Sequence, residues 1–169
     1  MRVITIAILC LFVSLLNAEP VQWEVKDGGN NHFYEVINAE KEISWTEASA
    51  EALAKGGYLA TVVSIPENDF IFNLIDNLDY WNRDAERNFG PWLGGVFAND
   101  HWTWVSNEEF VYSNWYVNEP NNENGKEAYV HYFSGITEEF ETSRFWNDQP
   151  DLKPGGPVAY VVEYDTLLQ

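Results

Sequence analysis

The chain has 169 residues, a formal net charge of −18 at pH 7, 46% hydrophobic residues and a single cysteine, Cys10. So acidic a chain is a poor partner for nucleic acid or an anionic membrane surface, and one cysteine excludes an intrachain disulfide. Most of the acids are expected simply to be solvated.

Residues 1–18 have the anatomy of a secretory signal peptide: the basic start Met1-Arg2, the apolar run Val3 to Leu16, and the small exit residue Ala18 after Asn17. The run is too short for a membrane span, which needs about 20 residues, so an exported chain without a membrane anchor is expected. Cleavage after Ala18 removes Cys10 and leaves 151 residues (169 less 18), the size of one domain, with a formal charge of −19 once Arg2 is lost. Packing alone must hold such a domain, and tryptophans at 23, 45, 81, 92, 102, 104, 115 and 146 point to a β-rich aromatic core.

After an N-terminal segment, 19–31, residues 32–38 read as a first strand of aromatic and β-branched residues. Ser44-Trp45-Thr46-Glu47 has capping-box spacing and opens a first helix, which ends at Lys55-Gly56-Gly57 where glycine takes the left-handed cap. Ser64-Ile65-Pro66-Glu67 is read as a second capping box, opening a helix with Phe70, Ile71, Leu74, Ile75 and Leu78 on its core face. Beyond Asp79 short aromatic strands follow, at Pro91 to Val96, Trp102 to Val105, Tyr129 to Tyr132 and Val158 to Tyr164. Between them Asn107 to Lys126 is a long irregular run, anchored by Phe110, Tyr112 and Trp115. Such a run in a compact domain points to function. No repeat and no heptad pattern sets an oligomeric state.

Six motifs now stand in order: Trp45-x-x-Ala48, Gly57-Tyr58-Leu59-Ala60, Glu67-Asn68, Trp92-Leu93-Gly94, Tyr112-Ser113-Asn114-Trp115 running into Glu119-Pro120-Asn121, and Trp146-Asn147-Asp148. In this the chain resembles the C-type lectin-like domain from about Phe33 to Tyr164. The resemblance implies an α+β domain over 32–165, with two helices packed on short antiparallel sheets, a long binding loop and a short tail, 166–169. The family's two disulfides are missing, their positions matching Ala52 with Val162 and Tyr129 with Asp151. The first pair is an apolar replacement; the second is not an obvious exchange.

The resemblance also implies a site. Glu119, Asn121, Glu127, Asn147 and Asp148 would hold one calcium ion, a hard cation that takes six to eight oxygens. The same five would hydrogen-bond two neighbouring sugar hydroxyls that complete its coordination. Glu-Pro-Asn is the family's form for mannose, fucose, glucose and N-acetylglucosamine, and Gln-Pro-Asp its galactose form. Pro120 allows a cis bond that turns Glu119 and Asn121 toward one ion. Family members with further ions use acids where this chain has Asn122 and Ala128, so one principal ion is expected. Asp100, Glu108, Glu109 and Glu123 are read as solvated loop charges.

A secreted lectin and not an enzyme is therefore expected. The alternatives are a protein-binding module with a structural calcium, or a glycosidase built on Glu119 with Glu127 or on Glu138 with Glu139. No nucleophile elbow, His-Glu-x-x-His helix or phosphate loop is present, and His32, His101 and His131 stand apart from one another.

Overall fold

The computed structural model describes residues 19–84, 87–135, 139–151 and 155–167. The expected signal peptide, Glu138 of the carboxylate pair and the last two residues of the tail lie outside them.

Among the described residues nine strands join one sheet: β1 (Val21–Gln22), β2 (Phe33–Asn38), β3 (Tyr58–Leu59), β4 (Asn82–Arg83), β5 (Asn88–Ala98), β6 (His101–Trp104), β7 (Tyr129–Ser134), β8 (Trp146–Gln149) and β9 (Ala159–Tyr164). Two helices, α1 (Trp45–Ala54) and α2 (Ile65–Ile75), pack on it. The path runs β1-β2-β9-β5-β7-β8, with β3 beside β9 and β4 and β6 beside β5. The short antiparallel ladders join in one mixed sheet, because β9 pairs parallel to β5 at Tyr160 and Trp92 and couples the two halves. The segment before the first strand joins the fold as well: Val21 pairs with Tyr34, and Trp23 is buried.

The strand period of two decides which core each residue serves. Along β9, Tyr160, Val162 and Tyr164 share a cluster with Ala48 and Ala52 of α1, whereas Val161 belongs to the cluster of Ile71 and Ile75 from α2. Ala52 and Val162 are both fully buried there, occupying as packed side chains the positions of the first missing bridge. At the second, Tyr129 stacks on Trp45 with ring centroids 4.5 Å apart, and Asp151 accepts the Thr46 backbone N–H at 3.0 Å. Both halves of that pair therefore grip the first turn of α1, which the Trp45 indole N–H also ties to the Leu93 carbonyl at 2.8 Å.

The first capping box forms in full, with Ser44 and Glu47 bonded reciprocally, and Gly56 takes a left-handed φ of 86° after the helix. The second forms by half. Ser64 caps the Glu67 N–H, but the Glu67 carboxylate turns inward to the Val63 N–H at 2.7 Å and the Tyr34 hydroxyl at 2.7 Å. Leu78 is not on the face of α2; it lies in a following 3-10 turn, 42% exposed, because the helix ends at Ile75. Nor is Glu108 merely solvated. It accepts hydrogen bonds from Thr61 Oγ1 at 2.6 Å and Ser106 Oγ at 3.1 Å.

Candidate functional site

The long loop between β6 and β7 is fastened by its aromatic residues. Phe110 stacks on Trp104 at 4.8 Å, and Tyr112 and Trp115 meet Trp146 edge-on at 5.5 and 5.8 Å. Backbone bonds from Trp146 N to Asn114 O (2.9 Å) and from Tyr116 N to Trp146 O (2.8 Å) lay this part of the loop against β8. The loop's polar tip is thereby delivered to Asn147 and Asp148, the two residues that follow Trp146 in the strand. Asn118, Asn122 and Asn124 turn the tip with φ of 68°, 46° and 57°, a left-handed region that asparagine tolerates better than most residues. The Glu119-Pro120 bond is cis, the geometry that the sequence led one to expect.

Four of the five residues named from the sequence adjoin the fifth, Asp148: Glu119 and Asn121 meet it from the loop tip, Glu127 lines one cavity with it, and Asn147 precedes it in β8. Asp148 is fully buried and its two carboxylate oxygens accept the Asn121 N–H at 3.0 Å and the Asn122 N–H at 2.9 Å. Glu127 accepts the Glu123 N–H at 2.7 Å, while its own N–H is capped by the Asn122 side-chain oxygen at 3.2 Å. Glu119 touches both Asp148 and Asn121, and its Oε2 is buried without a hydrogen-bond partner. Asn147 donates its amide to the Asp148 carbonyl at 2.6 Å and faces His131 Nε2 at 3.2 Å.

Crowding of acids sets the electrostatics. Burial, and then the neighbouring Asp148 charge, holds the Glu119 carboxyl above its ordinary range. Burial raises Glu127 to about 7 against the opposing bond from Glu123, with Asp148, Glu123 and Glu119 adding repulsion.

Calcium is the cofactor that the fold implies, and the chemistry of these donors fits it. Three carboxylates mixed with amide carbonyls are a hard-oxygen set, and a cation would satisfy the unpartnered Glu119 oxygen and relieve its repulsion with Asp148. The fit needs the asparagines: among the described residues, no three His, Cys, Asp or Glu side chains gather as a metal cluster of their own.

Two features of the site were not readable in the sequence. His131, fully buried between Phe89 and Trp92 and held down to a pKa of about 3 by that burial, is neutral; its Nε2 accepts from Asn147. It sits directly opposite Asn147 in the β7–β8 register, which no spacing in the sequence discloses. Phe97 and Trp102, from β5 and β6, form the other: with Pro120, Asn122, Glu127 and Asp148 they line a cavity of about 140 Å³.

The family model for the Lectin C-type domain matches residues 41–156. The chain belongs to this family. Among relatives of this C-type lectin domain, a perlucin-like protein of Mytilus galloprovincialis is 28% identical over 108 residues, 62% of this chain and 61% of that one. The chain spans less than two thirds of the length of the first curated relatives it matches. Of solved structures, the C-type lectin CEL-I from Cucumaria echinata superposes with a TM-score of 0.60 at 19% identity, covering 80% of this chain and 91% of that one. A calcium-independent type II antifreeze protein does so with a TM-score of 0.59 at 18% identity, over 80% and 87%. These two likenesses concern the fold alone. No helix among the described residues is long and apolar enough to cross a membrane.

Proposed function

We propose that this protein is a secreted, calcium-dependent lectin for mannose-, fucose- or N-acetylglucosamine-type sugars, with its domain at 32–165 and its signal peptide at 1–18. Glu119, Asn121, Glu127, Asn147 and Asp148 hold the ion. The observation that supports this reading is the meeting of Glu119, Asn121 and Glu127 with Asp148, with a buried Glu119 oxygen left without a hydrogen-bond partner.

Asp148 does two things at once: it fixes the loop tip through the Asn121 and Asn122 N–H groups and brings negative charge to the site. His131 occupies the Asn147 amide nitrogen, so oxygen is the atom Asn147 can offer a cation. Bound calcium supplies coordination places for two neighbouring sugar hydroxyls. Around them the carboxylates accept and the Asn121 amide donates, an order of partners that selects one hydroxyl pair over another. The activity is binding without turnover.

Two relatives whose names say lectin support a carbohydrate ligand, a lectin of Pleurodeles waltl (28% identical over 127 residues) and the galactose-specific lectin nattectin of Thalassophryne nattereri (32% over 80 residues), and the second makes the sugar preference the point to test. A calcium titration followed by competition with mannose and galactose tests ion, sugar and preference together. Saturable calcium binding, and sugar binding that chelator abolishes with mannose ahead of galactose, is the expected result. Sugar binding that persists in chelator defeats the mechanism, and cleavage products from a mannose-containing oligosaccharide would make the protein an enzyme.

A further inference from the structure

His131 stands opposite Asn147 in the β7–β8 register, fully buried, stacked on Phe89 at 5.7 Å and met edge-on by Trp92 at 5.5 Å and Phe133 at 5.8 Å. Ringed in this way, the neutral imidazole is held in one orientation. A phenyl ring would fill the same space, so packing does not account for a histidine whose Nδ1 is buried without a hydrogen-bond partner. What histidine adds is the Nε2 lone pair, 3.2 Å from the Asn147 amide.

The Asn147 amide has two hydrogens to give, and it gives both inside the protein. Its nitrogen lies 2.6 Å from the Asp148 carbonyl oxygen and 3.2 Å from His131 Nε2. The carbonyl has no proton, so the end of the amide that faces it is the nitrogen and not the oxygen. Nε2 then accepts, and the ring proton is on Nδ1. Asn121 differs. It is exposed at the loop tip, and with one amide hydrogen on Glu119 it keeps a second.

That difference bears on any pair of hydroxyls that completes a cation's coordination. A hydroxyl that lends one lone pair to the ion still has a proton to donate and a lone pair with which to accept, so two of them ask for two acceptors and two donors. Glu119 and Glu127 supply the acceptors. Of the two asparagines, Asn121 alone has a hydrogen left for a ligand.

We propose that His131 sets the affinity and selectivity of this site: by holding the Asn147 amide it leaves one ligand hydroxyl without a protein donor, so a sugar is gripped in full on the Glu119–Asn121 side only. This rests on the calcium-lectin reading above, and it makes the protein a weaker and less selective binder of monosaccharides than its five ligands imply. His131 is a positioning residue, acting through Asn147.

The test begins with heteronuclear NMR of the whole protein in calcium. At neutral pH, His131 Nε2 is expected to give the shift of a bare imidazole nitrogen and Nδ1 that of a protonated one. Methyl α-mannoside is expected to move the Asn121 side-chain amide signals and to leave those of Asn147 in place. Calorimetry then compares His131→Leu, which removes the acceptor and frees the Asn147 amide, with His131→Gln, whose carbonyl can keep it. Mannoside affinity is expected to rise about two- to tenfold in His131→Leu, the worth of one hydrogen bond, with a wider mannose-to-galactose ratio, and to stay at the parent level in His131→Gln. Calcium titration reports whether each variant keeps its ion, and the NMR of the parent decides even if His131→Leu does not fold. Mannoside-dependent shifts at the Asn147 amide, or an affinity that does not rise in a His131→Leu protein with parental calcium binding, overturn the role of His131 alone. Absence of calcium-dependent sugar binding in the parent overturns the underlying reading, and this proposal with it.

Discussion

At the scale of single residues the proposed site sets stability against binding. Glu119 meets Asp148 and keeps a buried oxygen without a partner, a poor arrangement for the protein by itself. Glu119→Gln removes one of the two charges. In chelator this variant is expected to be more stable than the parent by about 0.5–1 kcal/mol, a modest figure because Glu119 is only half-buried and water screens it. Its calcium affinity is expected to drop at least about tenfold, one carboxylate ligand having become an amide. Urea unfolding in chelator, set against calcium titration, checks both signs; a variant destabilised in chelator would mean that Glu119 serves the fold. The five candidate ligands were chosen in the sequence because their types and order match a family. Phe97 and Trp102 were legible only as aromatic residues, since the turn between β5 and β6 and the bond from Phe97 to Ala128 decide that they face Glu127.

At the scale of elements, the first turn of α1 takes over the work of the second missing bridge. Asp151 caps the Thr46 N–H and Tyr129 stacks on Trp45, so the ends of β7 and β8 are fastened to one helix terminus. Asp151→Ala is expected to cost about 1 kcal/mol, the usual worth of such a cap, and Tyr129→Leu about 0.5–1.5 kcal/mol for the lost stack. Because both act on the same turn, chemical denaturation of the double variant should show coupling and not simple addition. The sequence announced α1 well, since Ser44 and Glu47 need only each other. It announced α2 less well: Tyr34, 33 residues earlier, takes the Glu67 carboxylate that a local pattern would assign to Ser64. The strands were visible as aromatic runs, but their union in one sheet rests on the parallel β5–β9 contact, a long-range event with no local signature.

For the whole molecule, protons are a stabilising ligand. Burial raises Glu67 to about 7, outweighing the bonds it accepts from Val63 and Tyr34, against about 4.3 in an unfolded chain. His32 is raised as well, through its 2.6 Å contact with buried Glu163. Both groups hold protons more tightly in the folded state: the stability from Glu67 is complete below about pH 4 and lost as the pH rises through about 7, and that from His32 is complete below the ordinary histidine range and lost as the pH rises through its raised value. The net charge of −18 at pH 7 works in the same direction, because self-repulsion grows as carboxyls ionise. In metal-free buffer the urea midpoint is expected to be higher at pH 5 than at pH 8, by about 1–3 kcal/mol in stability, and Glu67→Gln to flatten that slope. An unchanged slope in the variant would assign the effect to net charge alone.

With Cys10 its lone cysteine, the chain is also an open thread. Lys126 is exposed at the end of the long loop, with β1 to β6 before it and β7 to β9 after it. A single tryptic nick there would leave two pieces joined by the β5–β7 and β2–β9 pairings and by no covalent bond. Such a nicked protein should migrate as one species on a native gel and as two on a denaturing gel run without reductant, where a stapled relative would still show one.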